Sequence, residues 1–171
     1  MLLPTSNPIS VVAVAAAGVA AAAIDLRTRR VPNALSAGVA AAGLAIAALR
    51  LGTVTIPAAA LGCAAGLLLM LPGYVFGATG AGDVKLFAAL GTLVGPAGIV
   101  MGFFYTAIAG GLMAVGVAVT RASLGTTLGR VGALIATRGA NATEIERPEH
   151  DNRFAYAPAI AVGVMAAALS V

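Results

Sequence analysis

The chain has 171 residues, of which 60% are hydrophobic and only 9% are charged, and its formal net charge is +4. A soluble domain carries about 25% charged residues, so this composition excludes a water-facing surface and predicts one all-α membrane domain over residues 1–171. The single cysteine excludes a disulfide or zinc framework. In so apolar a chain the positive charge is expected to set orientation in a lipid bilayer, not to bind nucleic acid.

Apolar segments follow one another along the chain and are long enough to be candidate membrane spans. In order they are 8–24, 34–49, 56–76, 86–120 and 154–171. As one helix the fourth would be about 52 Å long, which is too long for one span and too short for two. Gly95-Pro96 is expected to divide it into a short helix over 83–94 and a long span over 97–120. The sequence therefore predicts about six transmembrane helices.

The positions of the basic residues predict how these helices are oriented. With six spans, all of the ten Lys and Arg residues except Arg50 fall on one side of the membrane. This asymmetry predicts that both chain termini lie outside and that the polar stretch 121–153 lies in the cytoplasm. Apolar residues recur at helical spacing in the first half of that stretch, which predicts an amphipathic helix on the membrane surface.

Two acids stand apart from the C-terminal group of acidic residues. Asp25 ends the first predicted span, and Asp83 follows the glycine-rich turn "GATGAG" at the start of the fourth. Taken singly, Asp25 could be a loop residue that balances the neighbouring arginines, and Asp83 could cap its own helix. Both are nevertheless predicted at the same depth on the cytoplasmic side. Two carboxyl groups held together share a proton and can activate a water while protonating a leaving amine.

These residues stand in two motifs that resemble those of the type IV prepilin peptidases, membrane aspartic proteases of the GxGD class. The motifs are "DLRTRRVPN" at 25–33 and "GAGDVK" at 80–85, and "FAYAPAIAVG" at 154–163 is similar to the start of the family's last helix. The resemblance implies that Asp25 and Asp83 are the catalytic pair. It also implies removal of a basic leader from prepilin- and pseudopilin-like proteins at the cytoplasmic face of the bacterial inner membrane.

The chain departs from the longer members of that family in one respect. It has no paired Cys-x-x-Cys motifs, which in those members accompany N-methylation of the new terminus. It therefore resembles the short form associated with tight-adherence or Flp-type pili. The resemblance implies no metal, no methyl donor and no other cofactor.

Other residues of the two motifs are predicted to support the acids. Gly80 and Gly82 would admit an extended peptide, or would form only a flexible turn. Lys85 is expected to extend toward the membrane interface or to assist the site. Asn33, after Pro32, would cap the second helix or form a hydrogen bond near the acids.

Two other classes of membrane protein are compatible with this composition. A small transporter or channel would use the two acids as a proton or ion relay, although such acids usually lie near the bilayer midplane. A non-catalytic membrane assembly factor would need neither acid.

Overall fold

The computed structural model describes residues 7–120 and 156–170, which form helices joined by short connections. The helices are α1 (Pro8–Thr28), α2 (Asn33–Ala48), α3 (Ile56–Val75), α4 (Ala81–Thr120) and α5 (Ala157–Ser170). The all-α prediction is thus confirmed over the described ranges. The chain divides into one unit of residues 1–110 with 155–171 and another of 111–154. Only residues 111–120 of the second are described, so the amphipathic helix predicted within 121–153 lies outside the described residues.

Three of the helical segments are long and apolar enough to cross a membrane. They are Pro8–Thr28, Ile56–Val75 and Ala81–Val117, whereas Asn33–Ala48 and Ala157–Ser170 are apolar but shorter. Large apolar side chains such as Val12, Val19, Leu61 and Leu68 are more than half exposed, as expected of residues that face lipid. The chain is a membrane protein; the number of six spans and their orientation stay predictions.

Helix α1 continues one turn beyond its predicted end at residue 24. It ends at Thr28, because Arg29 takes the left-handed conformation (φ 51°) and donates its backbone N–H to the carbonyl oxygen of Asp25 at 2.7 Å. Asp25 therefore lies within the last turn of a helix. The alternative that Asp25 is a loop residue is wrong.

Helix α4 is interrupted where the sequence predicted a break. Gly95 has φ 70° and ψ −177°, which only glycine adopts readily, and Pro96 has no N–H to continue the helical ladder. The ring centroids of Phe87 and Phe103 are 6.3 Å apart, whereas in a straight helix these residues would be separated by about 24 Å. The segments before and after Gly95 therefore fold back against each other.

Glycines let these helices approach closely, as is common between membrane helices. A Cβ atom at Gly62 would overlap the backbone of Gly91, and one at Gly163 of α5 would overlap the backbone of Thr106. On its other side α5 lies against α1, where a Cβ atom at Gly18 would be 3.0 Å from that of Ala161. Helix α5 is thus held between α1 and the second half of α4, and its first residues lie beside the end of α1.

Candidate active site

Asp25 is buried at the end of α1 and bonds to a distant part of the chain. Its side chain is 4% exposed, and its Oδ2 atom accepts the backbone N–H of Ala157 at 3.1 Å. Ala157 is the first residue of α5 and is fully buried. The first N–H groups of a helix have no partner within the helix, and the preceding residues, Ala155 and Tyr156, are not capping types. Asp25 therefore caps α5 from 132 residues away.

Asp83 is half-buried in the first turn of α4 and bonds to the glycine turn before it. Its backbone N–H donates to the carbonyl oxygen of Gly80 at 3.1 Å, and its carboxyl group accepts the backbone N–H of Gly80. This reciprocal arrangement resembles one half of a capping box. The prediction that Asp83 caps its own helix is confirmed, and the cap leaves the carboxyl group beside an exposed turn.

The two carboxyl groups are brought near each other. Asp25 and Asp83 interact electrostatically, and the backbones of the two motifs are in contact. A Cβ atom at Gly82 would lie 3.1 Å from both the Cβ atom and the carbonyl oxygen of Val31, and the Val31 side chain is itself buried. Gly82 thus allows the start of α4 to pack directly on the segment that follows α1.

Tyr156 stands at the same place and was not singled out from the sequence. Its carbonyl oxygen accepts the N–H of Ile160 at 3.2 Å, which begins α5. Its ring lies against the second half of α4, where a Cβ atom at Gly110 would be 2.6 Å from the Cε2 atom of Tyr156. The sequence signal was available in the motif "FAYAP", where an aromatic residue directly precedes the last helix.

The other predicted supporting residues form a separate contact. The Nζ atom of Lys85 donates to Oδ1 of Asn33 at 2.9 Å, and both side chains are exposed. Pro32 is the N-cap residue of α2, and no side chain caps that helix. The alternative that Asn33 caps α2 is therefore wrong. Instead, Asn33 and Lys85 connect the start of α2 to the first turn of α4.

The described residues also limit what the site could hold. Within 7–120 and 156–170, no group of three or more His, Cys, Asp or Glu side chains could bind a metal ion. The chemistry that this geometry supports is that of two carboxyl groups, one buried and one reaching an exposed turn.

Comparison with known proteins identifies a family. The model of the type IV leader peptidase family matches residues 12–115, which is more than half of the chain and includes Asp25 and Asp83. No curated protein and no solved structure gives a significant match. Since the matched range runs from within α1 through most of α4, the chain belongs to the type IV leader peptidase family.

Proposed function

We propose that this protein is a membrane aspartic endopeptidase that removes the basic leader from prepilin- and pseudopilin-like proteins. The observation that supports this most is the pairing of Asp25 and Asp83, which come from separate motifs and interact electrostatically across the ends of two helices. The family accounts for peptidase activity, and the two carboxyl groups supply an aspartic mechanism for it.

Hydrolysis of a peptide bond requires that a water lose a proton and that the leaving nitrogen gain one. Asp83 is half-buried beside the exposed Gly80, so we assign to it the activation of water. Asp25 is buried and held by the Ala157 N–H, and we assign to it the proton that passes to the substrate. The water oxygen bonds to the scissile carbonyl carbon while Asp83 takes its proton. The carbon–nitrogen bond then breaks as the nitrogen receives the proton of Asp25. In each cycle the pair thus gains one proton from water and gives one to the leaving amine, and transfer of the new proton from Asp83 to Asp25 restores the starting state.

The surroundings of the glycine turn suit an extended, partly apolar substrate. Gly77 is left-handed (φ 74°) and Gly80 is exposed, so no side chain of either residue obstructs the approach of a peptide backbone. Tyr74, Val75 and Phe76 are 48%, 69% and 80% exposed at the end of α3, directly before this turn. They would contact the hydrophobic segment that follows the leader of such a substrate.

The predicted orientation completes the proposal. If both termini lie outside the bacterial inner membrane, the end of α1 and the start of α4 lie at the cytoplasmic face, where a basic leader would be presented. The same placement argues against a proton or ion relay. Asp25 is in the last turn of its helix and Asp83 in the first turn of its own, whereas the acids of such relays usually lie near the middle of the membrane.

Cleavage by the reconstituted protein tests the proposal. Purified protein in liposomes would be incubated with a prepilin-like substrate, and Asp25→Asn and Asp83→Asn would be compared with wild type. Asparagine keeps the size and the hydrogen-bond acceptor, so the fold should be retained while the rate falls about 100-fold or more. Glu149→Gln, which removes a carboxylate outside both motifs, serves as the matched control. Near-normal cleavage by either aspartate variant would reject the paired mechanism, and loss of ion flux instead of cleavage would favour the transporter.

A further inference from the structure

The connection between α3 and α4 is fixed by backbone hydrogen bonds on both sides of Thr79. The N–H groups of Ala78 and Thr79 both donate to the carbonyl oxygen of Gly73 in the last turn of α3, at 2.7 and 3.1 Å, which closes that helix. On the other side, the carbonyl oxygen of Gly80 accepts the N–H of Asp83 at 3.1 Å and begins α4. Thr79 therefore lies directly between the end of one helix and the start of the next.

The side chain of Thr79 packs closely on α3. A Cβ atom at Gly73 would lie 3.1 Å from the Oγ1 atom and 3.2 Å from the Cγ2 atom of Thr79, which is closer than the usual contact distance of about 3.5–4.0 Å. The Oγ1 atom is buried and has no hydrogen-bond partner in the described part of the chain. The shape of the side chain, and not a hydrogen bond of its hydroxyl, therefore places Thr79 on the helix.

The residue after Thr79 determines where the carboxyl group of Asp83 lies. A Cβ atom at Gly80 would be 3.2 Å from the Oδ2 atom of Asp83, so the carboxyl group rests on the backbone of Gly80. Because Gly80 is joined directly to Thr79, a shift of Thr79 on α3 would move the backbone that supports this carboxyl group. Misplacement of a reacting group by about 1 Å can lower a rate about 100-fold.

We propose that Thr79 is a positioning residue for catalysis, and that its contact with Gly73 holds the glycine turn where Gly80 supports the carboxyl group of Asp83. The inference rests on the proposed function for its kinetic consequences. Two consecutive contacts carry it: Thr79 on Gly73, and Asp83 on Gly80. A threonine that only filled space would stabilise the protein without influence on that carboxyl group.

Substitutions on the two sides of the contact test the proposal. Gly73→Ala crowds Thr79, whereas Thr79→Ala removes the two atoms in closest contact, and each should lower kcat about fivefold. In the double variant the new Cβ atom at position 73 would lie 3.7 Å from the Cβ atom of residue 79, an ordinary contact distance. The double variant should therefore be faster than either single variant.

Two more variants serve as comparisons. Thr79→Val keeps the shape of the side chain and removes only the hydroxyl, so it should retain the wild-type kcat. Gly38→Ala is the matched control for Gly73→Ala, because a Cβ atom at Gly38 would meet no other atom within 4 Å. It should leave kcat and KM unchanged.

The carboxyl band of Asp83 gives a readout that does not depend on cleavage. Infrared spectra of protein labelled with ¹³C in the aspartate side chains would be recorded in nanodiscs, and the band would be assigned with Asp83→Asn. Gly73→Ala and Thr79→Ala should each shift this band, and the double variant should return it toward its wild-type position. If wild type cleaves no substrate, the proposed function fails, and the band still decides the inference.

Three results would overturn the inference while the proposed function stands. The first is that Asp83→Asn is inactive but both single variants match wild type in kcat and spectrum. The second is a double variant as slow as the slower single variant, since the contact at Gly73 would then not hold the turn. The third is loss of kcat in Thr79→Val, which would assign the effect to the hydroxyl.

Discussion

The hydrogen bond between Asp25 and Ala157 predicts that two substitutions at one position will inactivate the enzyme alike but destabilise it differently. Asp25→Ala removes the only described partner of the Ala157 N–H, whereas Asp25→Asn leaves an amide oxygen in the place of Oδ2. Both variants lack the acid and should fail to cleave substrate. Only the alanine variant should lose the contact that joins the end of α1 to the start of α5.

The size of the difference follows from burial. Ala157 is fully buried and Asp25 is 4% exposed, so water cannot readily replace the lost acceptor. Leaving a buried N–H group unpaired costs about 1–3 kcal/mol. Since asparagine has the size of the side chain it replaces and keeps an acceptor for the Ala157 N–H, we expect Asp25→Asn to unfold at or near the wild-type midpoint. We expect Asp25→Ala to be less stable than Asp25→Asn by about 1–3 kcal/mol.

The same pair of substitutions at Asp83 provides the control. The Gly80 N–H that Asp83 accepts belongs to an exposed residue, so water can take the place of the carboxyl group. Asp83→Ala and Asp83→Asn should therefore differ by about 0.5 kcal/mol or less. Reversible unfolding in mixed detergent micelles would measure all four variants. Equal stability of the alanine and asparagine variants at Asp25 would refute the view that this carboxyl group holds the start of α5.

Two further predictions concern the contacts that hold the site and the helices in place. Lys85→Met and Asn33→Ala should each lower the cleavage rate severalfold, because both remove the same 2.9 Å hydrogen bond. For the same reason the double variant should be no slower than the slower single variant. Additive losses in this double-mutant cycle would show that the two side chains act separately. Gly43→Ala should destabilise the protein by about 1–3 kcal/mol because its Cβ atom would overlap the buried Thr92 side chain. A Cβ atom at Gly38 on the same helix would meet no other atom within 4 Å, so Gly38→Ala should stabilise the protein by up to about 1 kcal/mol. Equal changes in stability for the two variants, measured by unfolding in micelles, would contradict the close packing of Gly43 on Thr92.

Local signals predicted the helices well. The break at Gly95-Pro96 could be predicted because a proline without an N–H follows a residue that tolerates positive φ, and both properties are local. The first charged residue, Asp25, predicts the end of α1 one turn too early. Polar residues at the edge of a membrane can still be part of a helix, and α1 ends only where the backbone of Arg29 takes the left-handed conformation.

Contacts between distant residues could not be predicted in the same way. The sequence indicated that Asp25 and Asp83 could meet, because both fall in consecutive loops on one predicted side. It did not indicate that Asp25 is buried, since that depends on Ala157, 132 residues further along. Nor did it indicate the position of Tyr156, whose ring packs on Gly110 in the part of α4 that follows the break at Gly95.

Each acid of the site accepts a hydrogen bond from a backbone N–H group at the N-terminus of a helix. Asp83 accepts the N–H at the start of α4, and Asp25 accepts the N–H at the start of α5. Helix N-termini carry partial positive charge, so backbone dipoles supply part of the electrostatic environment of the pair. Lys85, the nearest cationic side chain in sequence to Asp83, is engaged with Asn33 instead. Partial positive charge from these two helix starts helps to hold the carboxyl groups together without adding a cationic side chain that would repel a basic leader.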